Sequence, residues 1–240
     1  SETTITKKAT STNIASNLNG ANVELTTTAD DIDVIGSRLQ AQDTLSLDSA
    51  KDININAGYD GTMDESHTIK SGFFTGGSLY SKNEDLEGKL TTTAANSQLS
   101  AGNVVLNAEK AIAVVGAELI ANESLNADAQ EISIKNAANT EETYSKHTKI
   151  DVSLGDAAKS LTTAIINPLA TVDYDDGKAS VTLAKATYDK ETTSTTKTTV
   201  ASSNLVVNTN GPAGSFANTQ SGNILIQGSN LDAQENIDVI

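Results

Sequence analysis

Ile32-Asp33-Val34-Ile35-Gly36-Ser37-Arg38-Leu39-Gln40-Ala41 is a phrase that the chain uses three times. It returns around Gly116-Ala117-Glu118-Leu119-Ile120-Ala121 and around Gly228-Ser229-Asn230-Leu231-Asp232-Ala233. Ile32, Ile112 and Ile224 lead the three copies, with Val34 and Val114 next in the first two, and Leu45, Leu125 and Ile237 close them. A phrase repeated at this length is the signature of a stacked solenoid, in which each unit buries its apolar face against the next. Function in such a chain is expected on an extended surface rather than in a catalytic pocket.

Each copy sits in a block of short alternating pairs. In residues 15–57 these are Val23-x-Leu25, Ile32-x-Val34, Leu39-x-Ala41, Leu45-x-Leu47 and Ile53-x-Ile55. Residues 97–136 give Val104-x-Leu106, Ile112-x-Val114, Leu119-x-Ala121, Leu125-x-Ala127 and Ile132-x-Ile134 in the same order. Residues 201–240 are less regular, with Leu205-Val206-Val207, an inserted loop at Asn210-Gly211-Pro212-Ala213-Gly214, and then Ile224-x-Ile226, Leu231-x-Ala233 and Ile237-x-Val239. Spacing of two places both apolar side chains on one face of a strand. An amphipathic helix would need spacings of three and four. Like positions recur at about 21 residues (Ile32 to Ile53, Val104 to Leu125), which several short strands per turn of a coil produce and an antiparallel sandwich does not require. The predicted fold is therefore all-β and solenoidal, one unit over 1–240. Its core is expected from Ile32, Val34, Leu39, Leu45, Ile53, Ile112, Val114, Leu119, Leu125, Ile132, Ile224, Leu231 and Ile237, with repeat turns at Gly36, Gly116 and Gly228.

Two long stretches, 58–96 and 137–200, interrupt the blocks. Ser66-His67-Thr68-Ile69-Lys70 in the first is echoed by Lys146-His147-Thr148-Lys149-Ile150 in the second. Both end in Thr-rich runs, Leu90-Thr91-Thr92-Thr93 and Thr192-Thr193-Ser194-Thr195-Thr196, and residues 2–12 resemble such an end. Each reads as an outgoing strand, a variable tip and a returning strand, so two-stranded hairpin arms are expected to protrude from the coil. The second tip differs: 155–166 suits a short helix ending before Pro168, and Asp173-Tyr174-Asp175-Asp176-Gly177-Lys178 suits a turn. Since Ile237-x-Val239 stops in mid-pattern, the chain is expected to be a piece of a longer protein.

Composition narrows the function. Aromatics are 3% of the chain, Trp and Cys are absent, and the net charge is −15. The charge disfavours nucleic acid, which is held by Lys and Arg, and disfavours docking on an anionic membrane surface. Without cysteine there are no disulfides or thiolate metal sites. No apolar run reaches the roughly 18 residues of a membrane span.

Candidate chemistry is thin. The two histidines, in matching places of the two arms, are expected to serve strand pairing, and neither has a second histidine near it in sequence to complete a zinc site. Asp30-Asp31-x-Asp33 and Asp173-x-Asp175-Asp176-Gly177 carry oxygens but match no calcium loop. No nucleophile elbow, P-loop or dinucleotide fingerprint is present. No catalytic, cofactor-binding or metal residue is assigned, and the chain is not expected to be an enzyme. A carbohydrate-active β-helix would need converging carboxylates and aromatic platforms. The aromatic candidates for partner contact are Phe73, Phe74 and Tyr80.

The repeated phrase, with Glu65-Ser66-His67-Thr68-x-Lys70-Ser71-Gly72-Phe73 between copies, resembles the haemagglutinin repeats of bacterial filamentous haemagglutinins and their spacer. In particular it is similar to the second repeat region of contact-dependent growth-inhibition exoproteins. The 155–178 tip departs from the short spacer of that family. The resemblance implies a right-handed parallel β-helix, exported by two-partner secretion through an outer-membrane transporter to the cell surface, or held in the periplasm before delivery. It implies a structural segment that helps carry a C-terminal toxin across a target cell's outer membrane. The alternative is an adhesin rod that binds host receptors or glycans. Neither branch carries catalytic residues into this region. About six coils at the 4.8 Å strand spacing would give a rod of roughly 30 Å. Unpaired edges at its ends lead to an expectation of end-to-end self-association.

Overall fold

The computed structural model describes residues 1–75, 78–153, 185–207, 215–216, 223–233 and 238–239. Every regular element among them is a strand. The chain runs through β1 (Glu2–Ser11), β2 (Asn17–Thr27), β3 (Ile32–Ile35), β4 (Arg38–Ser49), β5 (Asp52–Asn56), β6 (Gly58–Thr75), β7 (Ser78–Ala95), β8 (Ser97–Ala108) and β9 (Ala111–Val115). It continues through β10 (Ala117–Asp128), β11 (Glu131–Lys135), β12 (Ala137–Ser153), β13 (Lys185–Ala201), β14 (Asn204–Val207), β15 (Ser215–Phe216), β16 (Ile224–Gln227), β17 (Asn230–Ala233) and β18 (Asp238–Val239). They form two compact units. One comprises Thr10–Thr62, Thr91–Glu141 and Lys197–Ile240; the other comprises Ser1–Ala9, Met63–Leu90 and Glu142–Thr196.

The first unit is a parallel β-helix. One sheet runs β17-β14-β10-β8-β4-β2, and a second runs β16-β11-β9-β5-β3. The pairing along both is parallel. Each turn of the chain therefore adds one strand to each sheet. The long strands bend where their register shifts, between Gly20 and Asn22, Gln40 and Thr44, and Ala121 and Ser124. Such irregularities re-aim a strand and let one segment serve two faces of the coil.

Register stacks like on like. Leu39 pairs with Leu99, Leu99 with Leu119, Leu119 with Leu205, and Leu205 with Leu231. A second column runs Ile32, Ile53, Ile112, Ile132, Ile224. Of the residues expected in the core, Ile32, Val34, Leu39, Leu45, Ile53, Ile112, Val114, Leu119, Leu125 and Ile132 are buried. Ile224 and Leu231 are partly buried and pack against this cluster, and Ile237 lies outside the described residues. Inward aliphatic rows fill a space only a few side chains across, which explains a core built without large aromatics.

The corners alternate. Gly36, Gly116 and Gly228 take positive φ (50°, 60° and 60°) in the coils that pass directly from the smaller sheet to the larger one. A Cβ on Gly116 would lie 2.4 Å from the Ala137 Cβ, so close approach adds to the backbone requirement. Between those coils the chain instead departs after Ala57 or Ala137 and re-enters at Ser97 or Ser203. Both serines are fully buried. Ser97 Oγ donates to the Asn56 carbonyl at 2.7 Å and accepts from the Ser37 amide at 3.2 Å. Ser203 Oγ repeats this with the Lys135 carbonyl at 2.7 Å and the Ala117 amide at 3.2 Å. The hydroxyl closes the corner that glycine closes elsewhere.

The segments between departure and return build the remaining sheet, ordered β1-β6-β7-β12-β13. The partners Ser1–Ser71, Thr4–Thr68, Lys7–Glu65 and Lys8–Asp64 step in opposite directions along the chain, so β1 and β6 are antiparallel. Asp85–His147 with Thr92–Thr140, and Ser145–Thr193 with Thr187–Asp151, show the same for β7 with β12 and β12 with β13. The hairpins β6–β7 and β12–β13 share an edge, and β1 adds a fifth strand. An isolated two-stranded ribbon is marginal in water, whereas a multi-stranded sheet is not.

Two substitutions test this architecture. Ile112→Asp places an unpaired charge in the central column and should cost more than about 3 kcal/mol, seen as a lower urea midpoint. Gly116→Ala forces a Cβ into a left-handed position against Ala137 and should cost at least about 1–2 kcal/mol, while Gly61→Ala, at ordinary φ with its nearest contacts at 3.7 Å, should be near neutral.

Candidate functional site

Hydroxyls and charges dominate the five-stranded sheet. Edge strand β1 is exposed along its whole length, as is Ala186–Val200 of β13. Threonine suits a strand with solvent on its faces, since its branched stem favours extended backbone while its hydroxyl stays hydrated or pairs across strands. Thr4 meets Thr68 at 3.2 Å, and Ser145 meets Thr193 at 2.6 Å. Lys8–Asp64 and Lys70–Glu2 are ion pairs at 3.0 and 3.1 Å. Being exposed, they set register more than stability.

One row crosses four strands. Lys7 on β1 donates to Glu65 on β6 at 3.1 Å. Tyr144 on β12 also reaches Glu65, its hydroxyl donating at 2.9 Å. It does so by lying over β7 at Gly88, where a Cβ would sit 2.1 Å from the Tyr144 Cζ. Glycine in the strand is covered by the ring and is the reason the ring can cross. The Lys7 ammonium, and then the Tyr144 hydroxyl, hold the Glu65 carboxyl below the usual range, and Glu65 raises the Tyr144 phenol in turn.

Both histidines pair with adjacent carboxylates of β7. His67 Nε2 lies 2.9 Å from Glu84 Oε1, and His147 Nδ1 contacts Asp85 Oδ1. Each thereby ties a flanking strand, β6 or β12, to the middle strand of the sheet. Lys82 donates to the second Glu84 oxygen at 3.2 Å. The Lys82 bond first, then the His67 bond, lowers the Glu84 carboxyl. An open trough of about 440 Å³ beside this region is lined by Asp64, Glu87, Lys89, Thr143 and Thr193 among others.

The three aromatic candidates come together in part. Phe73 and Tyr80 stack at 5.1 Å between centroids, tilted by 49°. Phe73 is 74% and Phe74 is 81% exposed. Sequence reasoning did not find Asn13, whose side chain packs against Gly36 and Gly58 and donates to the Gly36 carbonyl at 2.7 Å. It also passed over the buried Ser97 and Ser203, because a serine beside a turn looks like surface; their place directly before Gln98-Leu99 and Asn204-Leu205, where the other copies have Ser37, Ala117 and Ser229, is the signal that marks them.

The acidic stretch is committed to local bonds. Asp30 pairs with Lys51 at 2.8 Å, which lowers the Asp30 carboxyl and raises the Lys51 amine. Asp31 accepts from the Asp52 amide at 3.1 Å, and Asp33 from Asn54 Nδ2 at 2.8 Å. Among the described residues no three His, Asp or Glu side chains converge as a metal site requires. The second acidic stretch, Asp173–Gly177, and the expected helix at 155–166 lie outside the described residues, as does the loop at 210–214.

Glu65 and Glu84 have folded values below the unfolded carboxyl near about 4.3. Their contribution is present above that value and is lost as pH falls through the folded ones. Protection of the β6 and β7 amides against exchange, relative to their intrinsic rates at each pH, should therefore fall below about pH 4. The acid-induced step should shrink in Glu65→Gln/Glu84→Gln; an unchanged step would show that these carboxyls do not clamp the sheet.

The hemagglutinin repeat family matches residues 1–90 and again 79–185. No curated protein and no solved structure is significantly similar to the chain. The two family matches are offset by nearly the distance between Gly36 and Gly116, and together they take in the first histidine-bearing hairpin, the outgoing strand β12 of the second, and the coils up to β11. The chain belongs to the hemagglutinin repeat family.

Proposed function

We propose that this chain is a structural and delivery segment of a secreted bacterial exoprotein of the filamentous haemagglutinin type. In this reading it belongs to the region that helps carry a C-terminal toxin across the outer membrane of a target cell in contact-dependent growth inhibition. The observation that carries the proposal is the division of labour in the fold. A dry aliphatic coil supplies a repeating scaffold, and a separate hydroxyl- and charge-rich sheet supplies surface. Export by an outer-membrane two-partner-secretion transporter fits a chain without cysteine, which can be threaded unfolded. Secreted and surface-exposed, the segment acts by presenting strands and by its length, without a catalytic centre, cofactor or nucleic-acid partner.

A second reading, an adhesin rod that binds host receptors or glycans, draws support from the exposed Phe73 and Phe74, beside which the half-buried Tyr80 packs. The two readings separate in the parent protein. Removing the segment equivalent to 15–240 should leave cell attachment intact and abolish killing of neighbours if the segment delivers toxin. Loss of attachment would instead assign it to the adhesive rod.

Self-association is part of the proposal. Strands β2 and β17, and β3 and β16, stand at the ends of their sheets, and Leu225 and Ile226 are 46% and 44% exposed. Unpaired edges of this kind accept further strands. Sedimentation of the isolated segment should show mass rising with concentration, and a monomer throughout would remove self-association from the proposal.

A further inference from the structure

Residues 71–81, Ser71-Gly72-Phe73-Phe74-Thr75-Gly76-Gly77-Ser78-Leu79-Tyr80-Ser81, carry no charge, in a chain of which 20% is charged and the net charge is −15. They span the end of the β6–β7 hairpin and are bracketed by Lys70 and Lys82. Two of the three phenylalanines of the protein stand here side by side, and both are among the most exposed apolar side chains of the described residues.

Their backbone is unusual as well. Neighbours on a regular strand point to opposite faces. Phe74 has φ 56°, in the left-handed region, where it is the one non-glycine among the described residues. A bulky residue there is a true outlier and is held at a cost. Burial within the chain does little to offset that cost, since the side chain is 81% exposed. The Phe73–Tyr80 ring pair gives the tip a formed aromatic face.

We propose that this hairpin end is a lipid-contact site, at which Phe73 and Phe74 enter the boundary between headgroups and acyl chains of a bilayer and Tyr80 lies beside them at the interface. Apolar rings with a polar-tipped aromatic neighbour suit that boundary, and it demands neither a complementary cavity nor fixed hydrogen-bond partners. A protein partner would be read through directional polar groups around the rings, and Ser71, Gly72 and Ser78 offer little for that. Lys70 is paired with Glu2 and Lys82 with Glu84. Attraction to anionic headgroups therefore does not drive the contact, and the acidic chain as a whole opposes it. Apolar burial drives it, on a zwitterionic surface. The site stands on the chemistry of the tip and is independent of whether the segment delivers toxin or adheres.

Because the protein has no tryptophan, Phe74→Trp gives a single spectroscopic reporter in the full chain. With phosphatidylcholine vesicles its emission should shift to the blue and be quenched by lipids brominated along the acyl chain, and raised salt should not reverse this. In parallel, the unmodified chain should co-sediment with the same vesicles. Phe73→Ser/Phe74→Ser should lower that partitioning by at least about tenfold, given the apolar area lost, with an unchanged far-ultraviolet circular dichroism spectrum showing that the sheet is intact. Emission that stays at its aqueous position with vesicles, co-sedimentation equal in the two proteins, or binding confined to anionic vesicles and abolished by salt would each overturn the proposal.

Discussion

Parallel strands laid in register about 4.8 Å apart set the terms for everything else in this chain. At that spacing an inward side chain has another small or aliphatic side chain directly above and below, and in two columns that neighbour is a copy of itself. Leucine stacks on leucine and isoleucine on isoleucine through five successive strands. A column of this kind rewards β-branched and γ-branched aliphatics that nest on their own shape. It penalises a ring that would need a smaller neighbour to make room. The scarcity of aromatics, odd for a chain of 240 residues, follows from the geometry of the column.

The same stacking governs the polar groups. The corner that leads from the smaller sheet to the larger must close without leaving a buried amide or carbonyl unpaired, and the chain closes it in two ways. Where that passage is direct, a left-handed glycine makes the turn. Where a hairpin intervenes, the returning serine places its hydroxyl between a carbonyl of its own coil and an amide of the adjoining one. The inserted segments then face a different problem, because their described strands bury almost no apolar side chains. They meet it by pairing with one another. Backbone hydrogen bonds, hydroxyl pairs and carboxylates shared between strands supply what a hydrophobic face supplies elsewhere, and Gly88 lets one tyrosine fasten β12 to β6 across an intervening strand.

How much of this could be read in the sequence depends on the range of the interaction. The coil is written in local pairs such as Ile53-x-Ile55 and in their recurrence, because each strand meets the same partner in every layer. Gly36, Gly116 and Gly228 are legible for the same reason. Cross-strand detail in the other sheet is not periodic in this way. Nothing near Tyr144 in sequence announces Gly88 or Glu65, and Asn13 gains its meaning only from glycines that approach it in space. The echo of His67 in His147 marked two equivalent strands, but not that both histidines would find neighbouring carboxylates on the strand between them. The hairpins were legible as hairpins; that they share edges was not, since edge pairing between Thr-rich strands leaves no pattern along either one.

The alternation of corners gives the chain a unit of inheritance. A coil closed by glycine and a coil opened for a hairpin come as a pair, and the pair adds two strands to each of the sheets it feeds. Gain or loss of a single coil by unequal recombination would set two glycine corners, or two hairpin corners, next to each other and leave an inserted strand without its neighbour. Lengthening by whole pairs preserves every contact. Homologous chains of different length should therefore differ by multiples of this two-coil module, while the tips of the hairpins, which sit outside that count, are free to diverge.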